Sequence, residues 1–158
     1  MKRNSRLEPV VKWLVVHWGL VTRAKTLGVR VAAFNDAGHV FLVKHSYVPG
    51  WYLPGGGVDG GETCLGAAMR ELDEEAALAP TEPLALFAVY RNARITPRDH
   101  VVMYVARNVR VLRPLNVPNR EITAAGFFDP AALPDDATDA TRRRLAEVLD
   151  GEPVAQDW

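Results

Sequence analysis

GGVDGGETCLGAAMRELDEEAAL, Gly56 to Leu78, joins a run of glycines to a segment that predicts a helix with glutamates along one side. From Thr63 to Leu78, the residues Leu65, Ala68, Met69, Leu72 and Ala76 recur at helical spacing and form the expected apolar stripe. Glu71, Glu74 and Glu75 stand at i, i+3 and i+4 and share a face. Three like charges so placed weaken an isolated helix. Only Arg70 is near, one position off that face. A hard divalent cation would turn the repulsion into coordination, and Mg²⁺ prefers carboxylate oxygens, waters and substrate phosphates. Gly55, Gly56 and Gly57 let a backbone approach a ligand without side chains in the way. Gly60 and Gly61 lead into a helix N-terminus, whose free N–H groups favour anions. A glutamate face alone is ordinarily solvated surface, and a glycine-rich turn alone is ordinarily a turn. Their combination points to a metal-bound diphosphate.

The rest of the chain is consistent with one soluble domain. Its 158 residues suffice for a two-layer core, and 48% are apolar. Nineteen basic and nineteen acidic residues balance, so bulk charge suggests neither a nucleic acid nor an anionic membrane as partner. Cys64 is the single cysteine, and the four histidines make no zinc spacing with it. A reducing, cytoplasmic setting is expected. The basic start and the apolar run Val10 to Val21 superficially resemble a signal peptide, but Lys12 and His17 interrupt the run and no small-x-small cleavage site follows. It is also shorter than the roughly 20 apolar residues a membrane span needs.

Pro9 suits the first turn of a helix over residues 10–21 that is apolar nearly all round. Such a helix needs burial against this domain, in a homodimer, or at a lipid surface, membrane contact being the least favoured. Gly28 to Phe34 and Val40 to His45 read as strands joined by the turn Asn35-Asp36-Ala37-Gly38, which predicts a hairpin. Further strands are expected over Leu84 to Arg91, Val101 to Val111 and Ala124 to Phe128, with a C-terminal helix over Ala137 to Leu149. Strands and helices without a regular alternation favour α+β or an α/β/α sandwich over a doubly wound sheet.

The spacing Gly56, five residues, Glu62, seven residues, Arg70-Glu71-Leu72-Asp73-Glu74-Glu75-Ala76-Ala77-Leu78 resembles the Nudix box, G-x5-E-x7-R-E-U-x-E-E-x-G-U with U aliphatic. The one departure is Ala77, which stands where the family usually has glycine, a residue that eases the helix exit through a left-handed backbone. Pro49 to Gly57 resembles the strand and loop that lead into the box, and the likeness extends over about residues 27–149.

The resemblance implies a Nudix α/β/α sandwich with a mixed sheet at residues 27–150; outside it, residues 1–26 are expected as a helical extension and residues 151–158 as a tail. It implies hydrolysis of a diphosphate bond in a nucleoside diphosphate derivative by metal-activated water, with Mg²⁺, or alternatively Mn²⁺, as cofactor. Glu71, Glu74 and Glu75 match the metal-binding positions, and a backbone carbonyl of the glycine loop, at Gly56, is a further candidate ligand. Glu62 and Arg70 match residues that orient the loop and carboxylates. The general base is either a box glutamate or an acid from a later loop, and Glu121 is the outside candidate, equally suited to be a further metal ligand. Tyr90, Arg91, Arg94 and Arg98 are candidate substrate contacts beside Gly55 to Gly57, because arginine suits phosphate. Phe34, Tyr47, Trp51 and Tyr90 are candidate stacking partners for a base. Two other readings stay open: a catalytically silent nucleotide-binding regulator, and an isomerase acting on a prenyl diphosphate. The position of Cys64 inside the box helix disfavours the isomerase.

Overall fold

A computed structural model describes Trp18 and residues 24–158. The expected helix over residues 10–21 lies outside the described residues, Trp18 apart. The strands are β1 (Thr26–Ala33), β2 (Val40–His45), β3 (Leu78–Ala79), β4 (Ala85–Arg91), β5 (Asp99–Ala106), β6 (Arg110–Val111) and β7 (Ile122–Phe128). The helices are α1 (Cys64–Ala76) and α2 (Asp139–Leu149). Strands β1, β5 and β4 form a mixed sheet, with β1 parallel and β4 antiparallel to β5. Strand β2 pairs with β7, and the two-residue β3 pairs with β6.

Alternation along the strands builds two cores. Val29, Val31 and Ala33 of β1, with Val102, Tyr104 and Ala106 of β5, join the α1 residues Ala68, Leu72 and Ala76. The intervening Ala32, Met103 and Val105 join Tyr90 and the α2 residue Leu145. A period of two sends successive side chains to opposite faces, so helices cover both sides. Complete burial of a residue such as Leu72 contributes about 2 kcal/mol.

Three local expectations are corrected. Strands β1 and β2 do not form a laddered hairpin. The turn forms, with Asn35 Oδ1 accepting from the Ala37 and His39 N–H groups, but beyond the bridge between Phe34 and Val40 the strands part. Residues 51–58 are inserted between them. Val29 N–H donates to Gly56 O at 2.8 Å and Val31 N–H to Pro54 O at 2.9 Å, while Tyr52 exchanges both backbone bonds with Val43. The expected strand over Val101 to Val111 breaks at Asn108, whose φ is 53°, and its end turns away to pair with β3. Helix α1 is rotated from its predicted stripe: Leu65 and Met69 are exposed, whereas Ala67 and Glu71 are buried. Apolar burial alone would have turned Met69 inward; the observed rotation turns Glu71 towards the glycine loop instead.

Candidate active site

The glycine loop is shaped by close contacts. At Gly55, φ is 146° and a Cβ would lie 2.1 Å from Val29 O, so the loop seats against β1 only without a side chain there. At Gly56 a Cβ would meet Glu71 Oε1 at 2.4 Å, which sets loop and helix face in direct apposition. Arg30 reaches under the loop and donates to Leu53 O at 2.9 Å and Gly55 O at 2.7 Å. Thr63 caps α1, its hydroxyl accepting from Gly66 N–H at 3.0 Å, and this fixes where the glutamate face begins.

Arg70 gathers that face. Its guanidinium donates to both carboxylate oxygens of Glu62 at 3.1 Å, to Glu71 at 2.7 Å, to Glu74 at 3.2 Å and to Gly57 O at 3.1 Å. The hydrogen bonds from Arg70, helped by the Asp59 N–H, hold the Glu62 carboxyl below its ordinary range. The sequence had set Arg70 off the face; its long side chain brings the charge back onto it. Glu75 stands differently. Its Oε2 accepts from Gly55 N–H at 2.8 Å, and burial pushes its carboxyl up to about 7, with Glu71 and Glu121 adding to the rise and Gly55 N–H and Arg30 opposing it.

Glu121 is exposed, on the loop before β7, and its carbonyl accepts from Ser46 N–H. Its charge acts on Glu75, His45 and Tyr47. The carbonyl of Gly56 accepts from Val29 N–H, which leaves one lone pair for a further partner. Among the described residues no three acidic, histidine or cysteine side chains already converge as a metal cage. The donor set nevertheless fits a hard dication: Glu71, Glu74 and Glu75 crowd one helix face, and the half-buried Glu75 bonds directly to the glycine loop.

Several substrate-contact expectations are corrected. Tyr90 is fully buried, and its hydroxyl donates to Glu147 at 2.6 Å. Arg91 makes a forked pair with Asp157 at 2.6 and 3.0 Å, which engages its guanidinium. Phe34 is buried, and Trp51 packs edge-on against Phe128 at 4.7 Å. Arg94 and Tyr47 do reach a cleft of about 370 Å³, which Arg30, His45, Tyr52 and Trp158 also line. A hollow of about 470 Å³ between Pro130 and α2 is larger, but its lining includes neither Arg30 nor His45, the residues that link the smaller cleft to Gly55 and Glu75.

The sequence reading missed Arg30, His45 and Trp158. Arg30 interrupts an otherwise apolar strand, a signal that was legible. His45 is 5% exposed, its ring nitrogens have no hydrogen-bond partner, and Nδ1 lies 3.7 Å from Glu75 Oε1. Burial, then Arg30, holds its imidazole below the ordinary range, against Glu121, so at neutral pH the contact is not an ion pair. A register shift between Lys44 and His45 marks this strand end, as bulges beside sites commonly do.

With this loop and helix in place, comparison with known proteins is direct. The model of the NUDIX domain matches residues 24–149, and the chain belongs to the Nudix family. It is 39% identical over 80 residues to a putative 8-oxo-dGTP diphosphatase of Bacillus subtilis (strain 168), covering 48% of this chain and 50% of that protein. It is 45% identical over 49 residues to the RNA pyrophosphohydrolase of Gluconobacter oxydans (strain 621H), covering 30% and 29%. The chain thus spans half or less of the length of these curated relatives. A MutT NUDIX hydrolase from Burkholderia pseudomallei superposes with a TM-score of 0.62 at 31% identity, over 78% of this chain and 98% of that one. An ADP-ribose pyrophosphatase from Streptococcus suis superposes with a TM-score of 0.59 at 25% identity, over 84% and 97%. Family members generally use divalent metal ions. Among the described residues no helix is long and apolar enough to cross a membrane.

Proposed function

We propose that this chain is a pyrophosphohydrolase that cleaves a diphosphate bond in a nucleoside diphosphate derivative, with Mg²⁺ or Mn²⁺ held by Glu71, Glu74 and Glu75. The observation that carries the reading is the pairing of a half-buried Glu75, bonded to Gly55 N–H, with a glycine loop pressed onto the same helix face. The similar proteins, a putative 8-oxo-dGTP diphosphatase, an RNA pyrophosphohydrolase and an ADP-ribose pyrophosphatase, are all named for cleavage of diphosphate linkages and support that substrate class.

When bound, the metal would lower the pKa of a water and stabilise charge on the leaving phosphate. The chain supplies the rest. Arg70 fixes Glu62, Glu71 and Glu74 in one cluster and braces the loop through Gly57. Arg30 clamps Leu53 and Gly55 from beneath. A general base is supplied by a carboxylate of this cluster or by Glu121, whose charge reaches Glu75. Arg94 faces the cleft, where a guanidinium suits a phosphate.

The test is release of phosphate-bearing products from a panel of nucleoside diphosphate derivatives in Mg²⁺. Glu74→Gln and Glu75→Gln should each lower turnover by two or more orders of magnitude with an unchanged circular dichroism spectrum. Equal activity in all three proteins would remove the metal-face reading. The second reading, a silent nucleotide-binding regulator, is favoured by Arg70 lying among the carboxylates as their counter-charge. Nucleotide binding without turnover would select it.

A further inference from the structure

None of the residues lining the cleft of about 370 Å³ belongs to the box; His45 connects it to Glu75, and one wall comes from residues far along the chain. Residues 152–158 run back over β4. Arg91 N–H donates to Gln156 O at 2.9 Å, Trp158 N–H donates to Arg91 O at 2.9 Å, and Arg91 and Asp157 form a parallel bridge. The Arg91 guanidinium grips the Asp157 carboxylate with two bonds. From below, Arg144 of α2, with no exposed surface, donates to Asp157 O at 3.0 Å and to Glu147 at 2.6 Å. Glu147 also accepts from Ala155 N–H at 3.0 Å and from the Tyr90 hydroxyl.

These anchors fix one side chain. The Trp158 indole packs edge-on against Tyr90 at 5.4 Å, and the Arg144 guanidinium lies 5.5 Å from its centroid. Trp158 is nevertheless only half-buried, and it lines the cleft together with Arg30, His45 and Arg94. Arg30 and His45 tie the cleft to the glycine loop and Glu75. Trp158 is tied instead to β4 and α2. A buried Arg–Glu pair is weak as a source of stability, because desolvation offsets its attraction; it is better suited to fixing one arrangement. Here the arrangement fixed is an indole at a cleft of about 370 Å³, within the range of small-ligand sites. A diphosphate seated at the loop carries its nucleoside outward, and a rigid indole offers a stacking surface to any base.

We propose that segment 152–158 is a fixed wall of the substrate cleft and that Trp158 is the specificity-determining residue on which the nucleobase stacks. This rests on the pyrophosphohydrolase reading for the substrate class. It makes discrimination for a base, over a base-free diphosphate, a property of a segment outside the box.

The test uses equilibrium binding in Mg²⁺, which does not require turnover. The probes are the α,β-methylene diphosphates of the four ribonucleosides and, as a base-free control, methylenediphosphonate. Trp158→Leu should weaken the tightest nucleoside probe about tenfold and leave methylenediphosphonate unchanged. Trp158→Phe, which keeps an aromatic face, should stay within about threefold of wild type. Equal loss in Leu and Phe, equal loss for both kinds of probe, or no loss at all would overturn the wall, as would absence of nucleoside-probe binding by the wild-type chain. Trp158-dependent binding without hydrolysis of the substrate panel would keep the wall and overturn catalysis. Hydrolysis with Trp158-independent binding would do the reverse.

Discussion

Ala77 and Glu75 each hold a state that a free residue would avoid. Ala77 ends α1 with φ 52° and ψ 37°, the left-handed conformation in which the family usually has glycine. Its N–H bonds to Asp73 O, and its carbonyl accepts from Leu112 N–H, so the exit is fixed from both sides. A left-handed alanine costs about 1–2 kcal/mol, and its buried methyl returns about 0.8. Ala77→Gly should therefore change stability by less than about 1 kcal/mol, whereas Ala77→Val, β-branched in a left-handed site, should cost more than about 2 kcal/mol in urea denaturation. Glu75 gives a pH prediction. Its carboxyl rises from 4.5 to about 7 on folding, so the folded chain binds that proton more tightly than the unfolded chain does. The associated stability is full below 4.5 and is lost as pH climbs through about 7, by up to about 3 kcal/mol. In chelator, wild type should lose more stability than Glu75→Gln between pH 5 and pH 8, and a pH dependence shared by both proteins would contradict the assignment.

The glycine loop and α1 act as one element, and the three loop glycines differ in what surrounds them. A Cβ at Gly55 meets backbone at 2.1 Å, one at Gly56 meets the Glu71 carboxylate at 2.4 Å, and one at Gly57 meets nothing within 4 Å. Backbone cannot yield, whereas a side chain can swing. Gly55→Ala should cost about 3 kcal/mol or more in stability. Gly56→Ala should stay folded but lose about tenfold or more in turnover, because it displaces Glu71 from the cluster. Gly57→Ala should match wild type in both measurements. The glutamate spacing was legible in the sequence because i, i+3 and i+4 neighbours are fixed by helix geometry alone. The side of α1 that turns inward was not. Leu65 and Met69 argued for one face, and contacts to Gly55 and Gly56 selected another.

Across the whole molecule, the Tyr90–Glu147–Arg144 network joins β4, α2 and residues 152–158. Removing one charge strands the other. Glu147→Leu should cost about 3–5 kcal/mol, and the double variant Arg144→Met/Glu147→Leu should recover much of the loss. A double variant as unstable as the single one would show that the pair is not a closed unit. No pattern at Tyr90 or Arg91 indicated this role. Both sit on a strand next to an Arg-rich loop, and only the docking of residues far along the chain turned them from the cleft towards the Glu147 and Asp157 carboxylates.

The chain alone determined what depends on near neighbours: the box helix, the crowded glutamates, the glycines before them, and the family they define. Tertiary structure decided what depends on distant partners. It inserted residues 51–58 between β1 and β2, set Arg30 and His45 beside the loop, and laid Trp158 along the cleft. Local geometry follows from a few dihedral preferences that each residue carries with it. Contacts between segments far apart in sequence are settled by which surfaces can bury and bond together, and no short stretch of sequence contains both surfaces.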